Sequence, residues 1–391
     1  MKRIFLTIAI LLNTYGLMTS QEISSFLNDV ARKNPEIISY QKLLEARKTE
    51  ARTGLAPPDP FVSAGYMPGK GDDAGIKRTW SVTQSFHFPT KYLAQNKLSK
   101  NKIILAEHEF ELGKLRLLLD AEQMIFDHIY YRKKLEMLKS RKDLFTRLES
   151  AWKRMLTEGE ATILDYNKLM YGFASLKLEL SRTETHLSIL REKLLYASGA
   201  EILLPDFSEY PVMESASIET ILDEKRSLHP EWLIPAAEYN LSLNEARLAR
   251  SSSLPGIQAG YGSEIIPGET FTGPFAGLTI PLWSNANRVK SADATAGYAS
   301  ASMDARLLEL ETKVKSEFHN SRALFQSIAE LNNLYGKTDN DLLDKALESG
   351  EISLTEYFLY LEASFETEEK LLELENEYYK AMASLYDHRL P

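Results

Sequence analysis

Long stretches of this chain carry apolar residues at alternating steps of three and four. Leu112, Leu115, Leu119, Phe126 and Ile129 form one such stripe. Leu307, Leu310, Val314, Ser321 and Leu324 form another, continued by Ile328 and Leu331. This spacing predicts a coiled-coil seam, within helical regions at about 90–156 and about 285–348. A helix of about 66 residues is about 100 Å long, so it must pack against other long helices. Elsewhere the period drops to two. Val62, Ala64 and Tyr66 alternate with Ser63 and Gly65, and Ile257, Ala259 and Tyr261 alternate with Gln258, Gly260 and Gly262. Trp80, Val82, Phe86 and Phe88 alternate with Ser81, Thr83, Ser85 and His87, Gln84 being the exception, while Ala276, Leu278, Ile280 and Leu282 share one face. These runs predict two β-hairpins, about 60–88 and about 256–283, with polar Gly-rich loops at Met67–Lys77 and Ser263–Thr270. Apolar-out, polar-in alternation is the signature of a membrane barrel strand, though a half-buried soluble sheet has a similar pattern. Four strands cannot close a membrane barrel, whose minimum is about eight; if they form one, subunits must be pooled.

The chain repeats itself. NPEIISYQ from Asn34 is matched by HPEWLIPA from His229, 195 positions later. At the same offset Glu50-Ala51-Arg52 matches Glu245-Ala246-Arg247, Pro60 matches Pro255, and Gly65-Tyr66 matches Gly260-Tyr261. TEGEATILDY from Thr157 matches ESGEISLTEY from Glu348 at an offset of 191. Ordered matches with so little drift indicate duplication. Each unit reads as a helix (about 35–56, about 230–252), a hairpin, a long helix, a Gly-centred turn and a return helix (about 162–198, about 353–388). The first repeat spans 21–199, with its helical hairpin at about 90–199. A connector carrying Pro205 and Pro211 covers 200–228, and the second repeat spans 229–391, with its helical hairpin at about 285–388.

Residues 1–20 read as a signal peptide: Lys2 and Arg3, an apolar run from Ile4 to Leu12, then Gly16, Thr19 and Ser20. Cleavage after Gly16 or Ser20 fits, neither cleanly; the rival reading is an uncleaved anchor, but the run is shorter than the ~20 residues of a spanning helix. Losing residues 1–20 removes two positive charges and no negative ones, so the net charge of −9 becomes −11. That acidic balance argues against a nucleic-acid partner, because phosphate needs basic surface. The chain has no cysteine, which excludes disulfides, thiolate metal sites, cysteine catalysis and lipid attachment at an N-terminal Cys. No nucleophile elbow, phosphate loop or HExxH motif occurs, so neither an enzyme nor a cofactor is expected.

Taken together, the Asn/His-Pro-Glu openings, the paired Gly-Tyr strands, the strand exit TIPLWSNANR from Thr279 and the turns at Gly159 and Gly350 resemble the TolC-like outer-membrane efflux factor family across the mature chain. GEISLTEY from Gly350 is similar to the branch serving heavy-metal efflux pumps. The resemblance implies a mainly α fold with a small β part. A homotrimer would form a transmembrane β-barrel of twelve strands and a long α-helical coiled-coil barrel reaching into the periplasm. It implies a passive exit duct for small molecules or metal cations. The partners would be a periplasmic adaptor protein, an inner-membrane pump of the resistance-nodulation-division type, and outer-membrane lipid. A type I secretion duct for polypeptides shares the architecture, and a periplasmic coiled-coil structural protein is the non-channel alternative. The Gly turns would form the periplasmic tip or gate, with Glu160, Asp165, Glu351 and Glu356 beside Gly159 and Gly350. The second turn has Glu351 and Ile352 where some relatives carry a basic residue, and Leu359 where some carry a further acid, so a gate need not use the same charge pairing.

Several residues have two readings. Glu122 and Glu317 are equivalent and interrupt the apolar stripes; they line a tunnel or pair with neighbouring Lys or Arg. Alternation points His87 and Gln258 to a barrel lumen, whereas the other histidines read as surface or packing residues and no two have metal-site spacing. Trp80, Phe86, Phe88 and Trp283 suit an aromatic belt at a lipid interface or a soluble core. Trp152 suits an adaptor contact or helix packing.

Overall fold

The period-two segments form one antiparallel sheet of four strands in the order β1-β2-β3-β4. They are β1 (Phe61–Pro68), β2 (Ile76–Phe86), β3 (Gly256–Ile266) and β4 (Glu269–Thr279). The computed structural model describes residues 21–70, 75–159, 162–200, 204–213, 216–283, 285–335 and 340–391. The signal segment 1–20 and Glu160 lie outside the described residues, as does the side chain of Asp165. The central pairing is between the repeats, with Val82 opposite Tyr261 and Gln84 opposite Ala259. Directly paired residues share a face, so the register sorts the sheet. One face carries Val62, Val82, Tyr261 and Pro274 in a row, and Phe86, Ile257 and Leu278 in another. The opposite face carries Ser63, Ser81, Gly262 and Gly273, and Ser85, Gln258 and Gly277. Phe275 also lies on this polar face, over Gly260. A Cβ on Gly260 would sit 2.7 Å from the Val82 carbonyl oxygen, so only glycine fits there.

The second hairpin is tighter than its sequence predicts. Ser263–Ile266 and Glu269-Thr270 are strand, and the turn is only Pro267-Gly268, with Gly268 at φ 87°. Polar residues reach the turn because one sheet face is largely polar, not because the chain has left the sheet. Ile280 and Leu282 lie beyond the end of β4.

Helix α1 covers 21–33 and is followed by α2 (Pro35–Ala51), α3 (Pro89–Glu158), α4 (Ile163–Ala197), α5 (Ile218–Leu228) and α6 (Pro230–Ser251). The later helices are α7 (Arg288–Tyr335), α8 (Asn340–Glu348) and α9 (Leu354–Tyr386). The long helix expected at about 285–348 is therefore described as α7 and α8, with 336–339 outside the described residues. The Asn/His-Pro-Glu openings are helix caps. Asn34 Oδ1 accepts from the amides of Glu36 and Ile37, and His229 Nδ1 accepts from the amide of Glu231. Proline then occupies the first helical position, where its missing N–H costs nothing, and glutamate meets the positive helix end.

The chain divides into two compact units. One contains the sheet, within residues 40–112 and 226–310; the other comprises 1–39, 113–225 and 311–391. The second unit has two buried clusters. One gathers Phe26, Val30, Leu118, Ile125, Phe126, Leu194 and Phe207. The other gathers Phe145, Leu148, Trp152, Leu169, Leu176, Leu354 and Phe358. In α3 the deepest positions are Leu118, Ala121, Ile125, Phe126, Ile129 and Leu138, while Leu112, Leu115 and Leu119 are half-buried. The predicted stripe is thus buried at Phe126 and Ile129, and Leu118, Ala121 and Ile125 widen it because α3 packs against several helices at once.

A ladder of charges ties α3 to α9. Asp127 accepts from Asn376 at 2.8 Å and from Lys380 at 3.0 Å. Lys134 reaches Glu369 at 2.5 Å and also Glu179 of α4 at 2.8 Å. Arg141 donates to both oxygens of Glu362 at 2.5 Å. Each step of seven along α3 is matched by a step of seven back along α9, as an antiparallel coiled-coil seam requires.

Candidate functional site

The two Gly-centred turns reverse the chain at one end of the second unit. Gly159 has φ 78° and Gly350 φ 74°, left-handed conformations in which a Cβ is strained. Both turns sit on the same buried cluster. Trp152 is 2% exposed and meets Phe358 edge-on at 5.8 Å, so it is helix packing rather than a surface anchor. Tyr357 donates to Asp344 at 2.6 Å, linking α9 to α8. Tyr357 ends the ESGEISLTEY repeat, but Asp344 lies outside it, so the motif does not announce the contact.

Glu356 plays a local part that its spacing from Gly350 conceals. Ser353 Oγ accepts from the Glu356 amide at 3.1 Å, and Glu356 Oε2 accepts from the Ser353 amide at 2.8 Å. This is a reciprocal capping box at the start of α9. Hydrogen bonds from the Ser353 backbone and side chain hold the Glu356 carboxyl below its ordinary pKa. The Ser-x-x-Glu signature was present in the sequence. Glu351 is exposed, and Asp165 lies in α4.

On the sheet, Gln258 lies on the polar face and donates to Thr279 Oγ1 at 2.9 Å. His87 falls after the end of β2, so alternation does not orient it; its amide donates to Tyr92 Oη at 3.0 Å. Trp80 and Phe86 are on the apolar face, while Phe88 and Trp283 lie beyond the strands; all four are exposed. The apolar face is bare: Val62 is 68% exposed and Leu278 69%.

Glu122 and Glu317, equivalent in sequence, are both half-buried. The Glu122 carboxyl lines a pocket with Ile23, Leu27, Val212, Met213 and Tyr386. Burial, and then the negative charge of Asp387, push its pKa up to about 7. No Lys or Arg among the described residues pairs with it. Of the two glutamates, it is Glu122 that lines this pocket. The connector 200–228 and the chain's C-terminal residues build its walls, and no local pattern foretells that.

This sheet-and-long-helix arrangement is the fold of outer-membrane channels. No family description matches the sequence, and no curated protein matches it. Solved structures do match in fold. A membrane protein from Pseudomonas aeruginosa superposes with a TM-score of 0.81 at 13% identity, covering 94% of this chain and 92% of that one. CusC, described as forming a transmembrane channel, gives 0.76 at 13% identity over 94% and 92%. The outer-membrane protein VceC from Vibrio cholerae gives 0.77 at 12% identity over 93% and 96%. The neighbours are TolC-family outer-membrane channels, and this chain shares their fold. They are channel proteins, not enzymes.

Proposed function

We propose that the chain is the subunit of a homotrimeric outer-membrane channel, the passive exit duct of a tripartite efflux pump. Three copies supply four strands each to one barrel. The apolar sheet face meets lipid, and the helices extend into the periplasm. The bare apolar face of the sheet carries this reading, because four strands with one such face need both partners and lipid. Exposed apolar residues on α4 support assembly. Leu164, Tyr171 and Leu178 are spaced by sevens and are 75%, 78% and 54% exposed, the pattern of a coiled-coil seam awaiting a partner helix. Residues 1–20 are the export signal. A periplasmic adaptor and a resistance-nodulation-division pump meet the Gly159 and Gly350 turns. There Glu160, Asp165, Glu351 and Glu356 recur in each subunit and favour cations. Likeness to CusC and the GEISLTEY motif support metal cations as cargo.

The protein is expected to fractionate with the outer membrane and to have a trimer's mass in mild detergent. A monodisperse monomer in detergent-free buffer overturns the proposal. In planar bilayers, Asp165→Asn with Glu356→Gln should lower cation preference; unchanged selectivity in the assembled variant removes the acidic ring.

The strand faces give a second test. Arg at Leu278 or Ala259 should cost ~2–4 kcal/mol near the bilayer midplane. Arg at Gln258 or Ser81, on the polar face, should be tolerated. Equal loss of assembled trimer at both sets would show that the apolar face does not meet lipid.

A further inference from the structure

The Glu122 pocket has a volume of about 210 Å³. Drug-sized ligands occupy roughly 300–1,000 Å³, so this space suits a molecule of one small ring or a short alkyl chain. Its walls are mostly apolar: Ile23 and Leu27 from α1, Val212 and Met213 from the connector, and Ala383 and Tyr386 from α9. Glu122 on α3 is an anionic side chain in that lining, and no described residue hydrogen-bonds its carboxyl.

The neighbouring cations are engaged elsewhere. Lys225 of α5 pairs with Asp387 at 2.6 Å and donates to the Ser384 carbonyl at 3.0 Å. Arg389, itself in the pocket lining, donates to Glu224 through Nε at 3.0 Å and Nη2 at 2.8 Å. The fully buried His388 ring contacts the same Glu224 at 2.8 Å. Asp387 adds a second negative charge facing Glu122. The polar contribution of α1 to the lining is the Ser24 hydroxyl, and α9 adds the Tyr386 phenol. An apolar hollow with one uncompensated carboxylate lacks a cation.

We infer that this pocket binds a small organic ammonium ion, its charged nitrogen on Glu122 and its apolar body against Leu27, Met213 and Tyr386. The Arg389 guanidinium already lies over the Tyr386 ring, 4.6 Å from its centroid, so this ring accepts cations. Binding here requires neither a barrel nor a pore, so it can be tested apart from channel activity.

The probe is benzylamine, with neutral benzyl alcohol of nearly the same shape as its control. Both are titrated calorimetrically into the full chain in mild detergent and phosphate buffer at pH 8. Benzylamine should bind at least tenfold more tightly than benzyl alcohol. Glu122→Gln, checked for unchanged helix content by circular dichroism, should erase that preference. Benzylamine affinity should also fall between pH 8 and pH 6, as Glu122 takes up a proton. Undetectable benzylamine binding at pH 8, equal affinity for the two probes, or an unchanged preference in folded Glu122→Gln would overturn the inference.

Discussion

Arg141→Ala should destabilise the helical unit by about 3–5 kcal/mol, the cost of leaving a buried charge without its partner. Arg141 is 11% exposed at its side chain and Glu362 24%. The guanidinium lies near the rings of Phe145 and Phe365, 5.5 and 5.1 Å from their centroids, so alanine loses packing as well as charge. Arg141→Met with Glu362→Leu should recover most of the loss, because an apolar pair of similar volume fills the same seam without desolvated charge. Unfolding in detergent, followed by helix signal for both singles and the double, measures the coupling. Additive losses would show that the pair is not coupled.

The ladder also acts against wrong registers. Sliding α9 by seven residues one way sets Asp127 against Glu369 and Arg141 against Thr355. Sliding it the other way sets Asp127 against Ala383, Lys134 against Asn376, and Glu362 against the buried Leu148. Each slip keeps the apolar period yet opposes like charges or buries a lone carboxylate, so charge selects the register that hydrophobicity leaves degenerate.

The second large effect is a pH-dependent gain from Glu122→Gln. The Glu122 pKa is raised from 4.5 to about 7. Between those values the folded chain holds a proton that the unfolded chain has released, so wild-type stability from this group falls as pH rises through that window. At pH 8 the folded protein bears the full cost of a charged carboxylate in the pocket. The shift corresponds to roughly 3 kcal/mol, and solvent reaching the half-buried group reduces it to about 2 kcal/mol. Glutamine carries no such cost. The variant should therefore be more stable than wild type at pH 8 and equal to it at pH 4, in amine-free phosphate or acetate buffer. A stability gap that does not change between these pH values would show that Glu122 titrates normally.

Much of the architecture is legible in the sequence because it rests on short-range periods. A step of three and four yields a helix stripe, and a step of two yields a strand face, whatever lies opposite. Asn34 and His229 with their following prolines announce helix starts, and Gly159 and Gly350 announce reversals, because caps and left-handed turns involve only adjacent backbone. The Ser353–Glu356 box is equally local, set by a spacing of three residues at the start of α9.

What the sequence by itself determined is the set of elements, their duplication and the polar and apolar faces of the sheet. What only the tertiary structure decided is which distant residues meet. The pairing of Asp127, Lys134 and Arg141 with Asn376, Glu369 and Glu362 spans more than two hundred residues. The environment of Glu122 depends on α1, the connector and the chain's end closing over α3. Such contacts depend on the summed packing of whole helices, and no short-range period records which partner a side chain will meet. The charge of Glu122 near neutral pH is set there, by the solvent removed and by Asp387 brought close.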